Sequence, residues 1–210
     1  ALQYWPSPFN SPLTENGNGF PGWHIECSVM NKKYLGNTID LHMGGIEHIP
    51  IHHTNEIAQS ESANGVKFVN YWLHNEHLLV NNKKMSKSEG TSFSLAEIKE
   101  KGFTPMALRY FFLQAHYRSK QNFTWDALQA AENSLNKIYD FIRKLKAEKN
   151  NLSTSPLRQS VSEAGSPRLR LATTGQADVE RFKNEFEKAI YDDLNTPKAL
   201  AVIWKIIAAY

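Results

Sequence analysis

The periodicity of this chain changes once, and the change falls on a cationic loop. Up to Gly90, short helical and strand-like patterns alternate; beyond it every periodic stretch is helical. Trp23, Ile25, Cys27, Val29 and Met30 crowd a segment that ends in Gly36-Asn37, the composition of a helix with a glycine stop. Thr38 to His42 alternates like a short strand and runs into Gly44-Gly45, where a backbone can approach a ligand closely. Pro50 opens a second predicted helix through about Ser62, closed near Asn64-Gly65. Phe68 to Val80, rich in β-branched and aromatic residues, predicts one strand, and Asn81-Asn82 turns it into the loop. Helix, strand, helix, strand with short joins predicts an α/β layer on a parallel sheet.

Downstream, Ser94 and Glu97 have the spacing of a capping box, Pro105 starts a helix through Ala115, and Thr124 starts a longer one through about Ala147. Phe182, Phe186, Ile190 and Leu194 recur every fourth residue, and Thr196-Pro197 begins a last helix. Between them, 150–176 is rich in Ser, Thr, Pro and Arg and reads as a flexible linker. The expected divisions are therefore 1–90, 91–149, 150–176 and 177–210. Residues 1–21, with four prolines among Asn, Ser and Gly, read as surface loop.

Composition excludes several classes. With 210 residues, 41% hydrophobic and 21% charged, the chain is long enough for a real core and typical of soluble globular proteins. No apolar run reaches membrane-spanning length, and a net charge of +3 permits nucleic acid binding without arguing for it. A single cysteine, Cys27, precludes an internal disulfide framework.

Two sets of residues carry chemistry. Lys84-Met85-Ser86-Lys87-Ser88, followed by Glu89 and Gly90, is suited to holding nucleotide phosphates while charge develops on them. His52 and Glu56 are four apart, about 40° around a helix axis, and with Cys27 they offer imidazole, carboxylate and thiolate, a mixture zinc accepts. Spacing alone leaves a plainer alternative open, in which Cys27 is a small buried hydrophobe and His52 and Glu56 are a helix pair on a wet face.

Lys84 to Ser88 reads letter for letter like the second signature of class I aminoacyl-tRNA synthetases. Gly22 to Ser28 and His52 to Ser60, with that signature, resemble the cysteinyl-tRNA synthetase family in order and separation. The likeness continues through Arg109 to Phe111 and His116 to Ser119 to Asp193-Leu194-Asn195-Thr196-Pro197, and omits only the linker.

The resemblance implies the C-terminal half of a Rossmann-like catalytic domain, then an all-helical region that starts the anticodon-binding domain. It implies one zinc ion on Cys27, His52 and Glu56, gripping the substrate thiolate, with a further cysteine upstream. Trp23 matches the tryptophan of the cysteine pocket; His24 and His42 match histidines of the active-site wall. Gly44, Gly45 and Glu47 correspond to the turn and carboxylate that receive the ATP ribose, although the family more often has aspartate at Glu47 and a further glycine at Met43. Lys87, assisted by Lys84 and with Met85 between them, is expected to meet the phosphates of Mg-ATP. His48 and His53 have no matched role. Arg109, Arg118, Lys120, Arg143 and Lys144 are candidates for the tRNA acceptor stem.

The implied activity is cytoplasmic, ATP-dependent ligation of cysteine to tRNA(Cys), by a monomer. The first signature, His-Ile-Gly-His, is absent, so the chain is expected to be a fragment that is inactive alone. Competing readings are the mycothiol-pathway cysteine ligase, a non-catalytic zinc or tRNA-binding remnant, and a metallohydrolase suggested only by His52 with Glu56.

Overall fold

The structure, a computed structural model, describes residues 4–7, 17–19, 22–85, 90–154 and 176–210. It divides into two compact units, 1–76 and 77–210.

In the first unit, β1 (Trp5–Pro6) pairs antiparallel with β2 (Asn18–Gly19), two residues each, within the stretch read as loop. Helix α1 (His24–Leu35) stops at Gly36, whose φ of 96° is open to glycine and costly for other residues. Strand β3 (Ile39–Gly45) is longer than expected and takes both glycines into its end. A 3-10 turn (Ile46–His48) and a π-helical turn (Ile49–His53) lead into α2 (Thr54–Asn64), which closes on left-handed Gly65. The π turn widens the start of the predicted helix, and the Thr54 hydroxyl donates to the Ile49 carbonyl at 2.7 Å there. β4 (Val69–Asn75) pairs parallel with β3 in register Leu41 to Tyr71 and His42 to Trp72. Ile39, Phe68 and Val69 are buried between sheet and helix, with Ile57 and Trp72 packed against them.

The second unit corrects the strand predicted over Phe68 to Val80. The polar run Asn75-Glu76-His77 interrupts its alternation, and β5 (Leu78–Val80) joins a different sheet. There β5 lies between β6 (Lys83–Lys84), antiparallel, and β7 (Gln121–Phe123), parallel. β7 has no sequence signature, because three residues carry no measurable period. Helix α3 (Leu95–Glu100) has the full capping box of Ser94 and Glu97. Thr104 caps α4 (Pro105–Leu113), with Pro105 in its first turn.

Helix α5 runs from Trp125 to Thr154, beyond its expected end, because no glycine or proline intervenes before Pro156. The linker read over 150–176 therefore begins helically, and 155–175 lie outside the described residues. Helix α6 (Gln176–Tyr191) and α7 (Thr196–Ala209) follow, α7 capped by Asn195. Val80, Ile98, Ala107, Tyr110, Phe111, Phe123, Leu128, Ala131 and Leu135 form the core of this unit, drawn from β5, β7 and three helices. No described helix is long and apolar enough to cross a membrane.

Candidate functional site

The π turn and α2 carry His52, His53 and Glu56 on one buried face, and Glu56 is 0% exposed. Opposite them, α1 presents Cys27. The two helices are joined by Ser28, whose hydroxyl donates to Gln59 Oε1 at 2.8 Å. Ligand atoms of Cys27, His52 and Glu56 all lie within 4.8 Å of one another. Bond lengths of about 2.0–2.3 Å put donors around one tetrahedral ion about 3.3–3.8 Å apart, so small side-chain rotations close the gap.

The unsatisfied atoms point the same way. Glu56 Oε1 and His52 Nδ1 are buried with no hydrogen-bond partner among the described residues, and a buried carboxylate oxygen left so is costly. A cation among these donors removes that cost, so the set fits zinc. Burial, followed by the charges of Glu56 and Glu26, pushes the Cys27 thiol up. Burial pushes the His52 imidazole down, against the opposing pull of Glu56.

A second group, His42, His53 and Glu56, is equally close. Within it His42 Nε2 lies 2.9 Å and His53 Nε2 3.9 Å from Glu56 Oε2, while His53 Nδ1 lies 2.8 Å from His74 Nε2. His52 Nε2 lies 3.8 Å from the same Glu56 Oε2. His53 is held down to about 4, first by burial and then by His42, His74 and its other histidine neighbours.

Several other expected residues of the first unit fall around this centre. Trp23 precedes α1, is 56% exposed, and sets its ring 4.4 Å from that of His52. His24 opens α1; its Nε2 lies 3.3 Å from Asn55 Nδ2, while its Nδ1 is buried without a hydrogen-bond partner among the described residues. A Cβ on Gly44 would meet His53 at 2.6 Å and His48 at 2.8 Å, and one on Gly45 would strike the Glu47 carboxylate. Gly44 is therefore crowded by the His53 and His48 rings, whereas at Gly45 the flexible Glu47 carboxylate can swing away. His48, His53, His74 and Asn55 belong to the cluster although no motif role marked them. Their signal, a concentration of histidines between 42 and 77, was visible in composition but gave no pairing.

In the second unit Lys84 ends β6, exposed, and Met85 is packed against the core. Lys87 lies outside the described residues. Arg118 is committed elsewhere: its Nε is 2.9 Å from Asp193 Oδ2 and donates to the Tyr117 hydroxyl at 2.9 Å.

A model of the tRNA synthetases class I (C) catalytic domain matches residues 4–133. The chain belongs to this class I synthetase family. A DALR domain model matches residues 185–209 of the same class I synthetase chain, within α6 and α7. Among curated relatives, the cysteine-tRNA ligase of Treponema denticola is 43% identical over 97% of this chain and 40% of its own length. The cysteine-tRNA ligase of Chlamydia abortus is 44% identical over 97% of this chain and 38% of its own length. The chain thus spans about two fifths of the length of the relatives it matches. The LeuRS of the Agrobacterium radiobacter K84 LeuRS-tRNA-LeuAMS complex shares the fold of this synthetase chain. The TM-score is 0.59 over 81% of this chain and 22% of that one, at 16% identity.

Proposed function

We propose that this chain is part of a cysteine-tRNA ligase, a cytoplasmic monomer that activates cysteine with ATP and transfers it to tRNA(Cys). One observation carries the reading: half-buried Cys27 set against buried His52 and Glu56, with Glu56 Oε1 without a hydrogen-bond partner among the described residues, in a chain 39–44% identical to curated cysteine-tRNA ligases. Serine differs from cysteine by one atom, too little for a shape-selective pocket to reject strongly. Cys27, His52 and Glu56 would hold a zinc ion, which would supply a bond to the substrate thiolate that a neutral hydroxyl cannot match.

The protein's own groups then position and neutralise. Trp23 lines the amino-acid pocket beside His52, with His24 and His42 in its wall. Gly44, Gly45 and Glu47 receive the ribose of ATP. Lys84 and Lys87 hold the phosphates of Mg-ATP as the cysteine carboxylate attacks the α-phosphorus and pyrophosphate leaves. A hydroxyl of the terminal tRNA ribose then attacks the adenylate's aminoacyl carbonyl, the mixed anhydride breaks, and AMP leaves. This chemistry rests on positioning and charge neutralisation, so the first step requires no general base.

The test is cysteine-dependent ATP–pyrophosphate exchange by the full-length protein, with serine as the rejected competitor. Exchange with cysteine but not serine is the expected result. A zinc-loaded full-length protein that supports no exchange with cysteine would overturn the reading. The 210-residue chain alone is expected to show none.

A further inference from the structure

Lys84 leaves its sheet from the short arm of a hairpin that cannot hold itself. β5 and β6 pair only through Leu79 with Lys84 and Val80 with Lys83, and ribbons this short are unstable in isolation. The connecting residues Asn81 and Asn82 both have left-handed backbones, with φ of 49° and 63°. That is the conformation a type I′ turn demands, and asparagine tolerates it better than most residues.

The main-chain N–H groups of the two central residues lie outside the ribbon's own pairing, and here β7 receives both. Asn81 donates to the Phe123 carbonyl at 3.1 Å, and Asn82 donates to the side-chain Oδ1 of Asn122 at 2.7 Å. Asparagine is a poor strand former. Its place in the middle of β7 is explained by this bond, made across 40 residues of sequence. On the other side of Lys84, Met85 is packed against the core. The backbone of Lys84 is therefore flanked by a turn tied to β7 and by a seated methionine, while its side chain remains exposed.

We propose that Asn122 is a positioning residue for the lysine loop: its side-chain carbonyl sets the Asn81-Asn82 turn and so the direction in which Lys84 leaves the sheet. Asn122 acts through the turn and not on the nucleotide. The kinetic consequence rests on the ligase reading above; the structural consequence does not.

The experiment uses the full-length protein with Asn122→Ala, which removes the acceptor, and Asn122→Asp, which keeps an oxygen at the same place. Tryptic cleavage after Lys83 and Lys84, the thermal midpoint, and ATP–pyrophosphate exchange at varied ATP and varied cysteine are measured. Losing one exposed hydrogen bond is expected to change the turn's population by about fivefold. In Asn122→Ala, cleavage at the hairpin should rise and kcat/KM for ATP should fall by about that factor. KM for cysteine and the midpoint should stay put, and Asn122→Asp should recover most of both losses. Unchanged cleavage and ATP kinetics in Asn122→Ala would overturn the proposal, as would a loss shared equally by Asn122→Asp. Cleavage rising throughout the chain would assign Asn122 to general stability and also overturn it. If the wild-type protein supports no cysteine-dependent exchange, the ligase reading fails and the cleavage comparison alone decides the role of Asn122.

Discussion

His42 Nε2 lies 2.9 Å from Glu56 Oε2, and this contact ties β3 to α2. It occupies one carboxylate oxygen and leaves the other, Oε1, buried without a hydrogen-bond partner among the described residues. Removing the imidazole frees the carboxylate to rotate away from Cys27 and His52. His42→Ala is expected to weaken zinc affinity by about 10–100-fold, read by competition with a chelator. His42→Gln, which keeps a donor, should recover part of the loss.

Glu56→Gln preserves the shape of the side chain and removes its charge. A neutral amide oxygen is a weaker ligand than a carboxylate, so the purified protein should lose its zinc. Elemental analysis is expected to fall from about one ion per chain to a small fraction of that. Cys27→Ser should behave alike, and full zinc retention by both variants would remove the proposed metal centre.

Leu128 is 0% exposed and lies in the core shared by α3, α4, α5 and the three-stranded sheet. Leu128→Ala leaves a cavity that close-packed neighbours fill only in part. It is expected to destabilise the second unit by about 2–5 kcal/mol, read as a lowered denaturation midpoint with the metal content unchanged.

Glu97 is held below the ordinary carboxylate pKa, first by the Ser94 main-chain amide and then by the Ser94 side chain. A carboxyl whose folded pKa is depressed contributes stability that is fully present above its unfolded pKa and is lost as pH falls through the folded one. The stability difference between wild type and Glu97→Gln should therefore be constant near neutrality and vanish on acidification below the ordinary glutamate range. Denaturant titrations at stepped pH values check this; a difference that grows on acidification contradicts it.

Asp193 and Leu194 turn the chain between α6 and α7 with φ of 54° at each, a left-handed conformation that glycine would normally supply. Three side chains hold them there. The Tyr117 hydroxyl donates to Asp193 Oδ1 at 2.6 Å, Arg118 Nε lies 2.9 Å from Oδ2, and His116 Nε2 lies 2.9 Å from the Asp193 carbonyl. Asp193→Ala is expected to cost about 1 kcal/mol, reduced from the value of a charged bond by the exposure of the site. Urea denaturation of the wild-type and variant chains measures it.

Most helix boundaries could be read directly because the rules that set them act between near neighbours. Gly36 and Gly65 end α1 and α2, Ser94 with Glu97 starts α3, and Pro105 and Pro197 sit in first turns. Each is a contact within about one helical turn. The triad of Cys27, His52 and Glu56 was likewise legible as residue types, and the structure brings its ligand atoms together.

The sequence by itself therefore determined most helix starts and stops, the change from mixed to mainly helical architecture, and which residue types are available for chemistry. Tertiary structure alone decided the partners. It split the run over Phe68 to Val80 between two sheets and made a strand of Gln121 to Phe123. It set His42 against Glu56, His53 against His74 and Asn122 against Asn82, across 14, 21 and 40 residues. The physical reason is loop closure. A partner that far along the chain is selected by the summed packing of everything between, which no local propensity records.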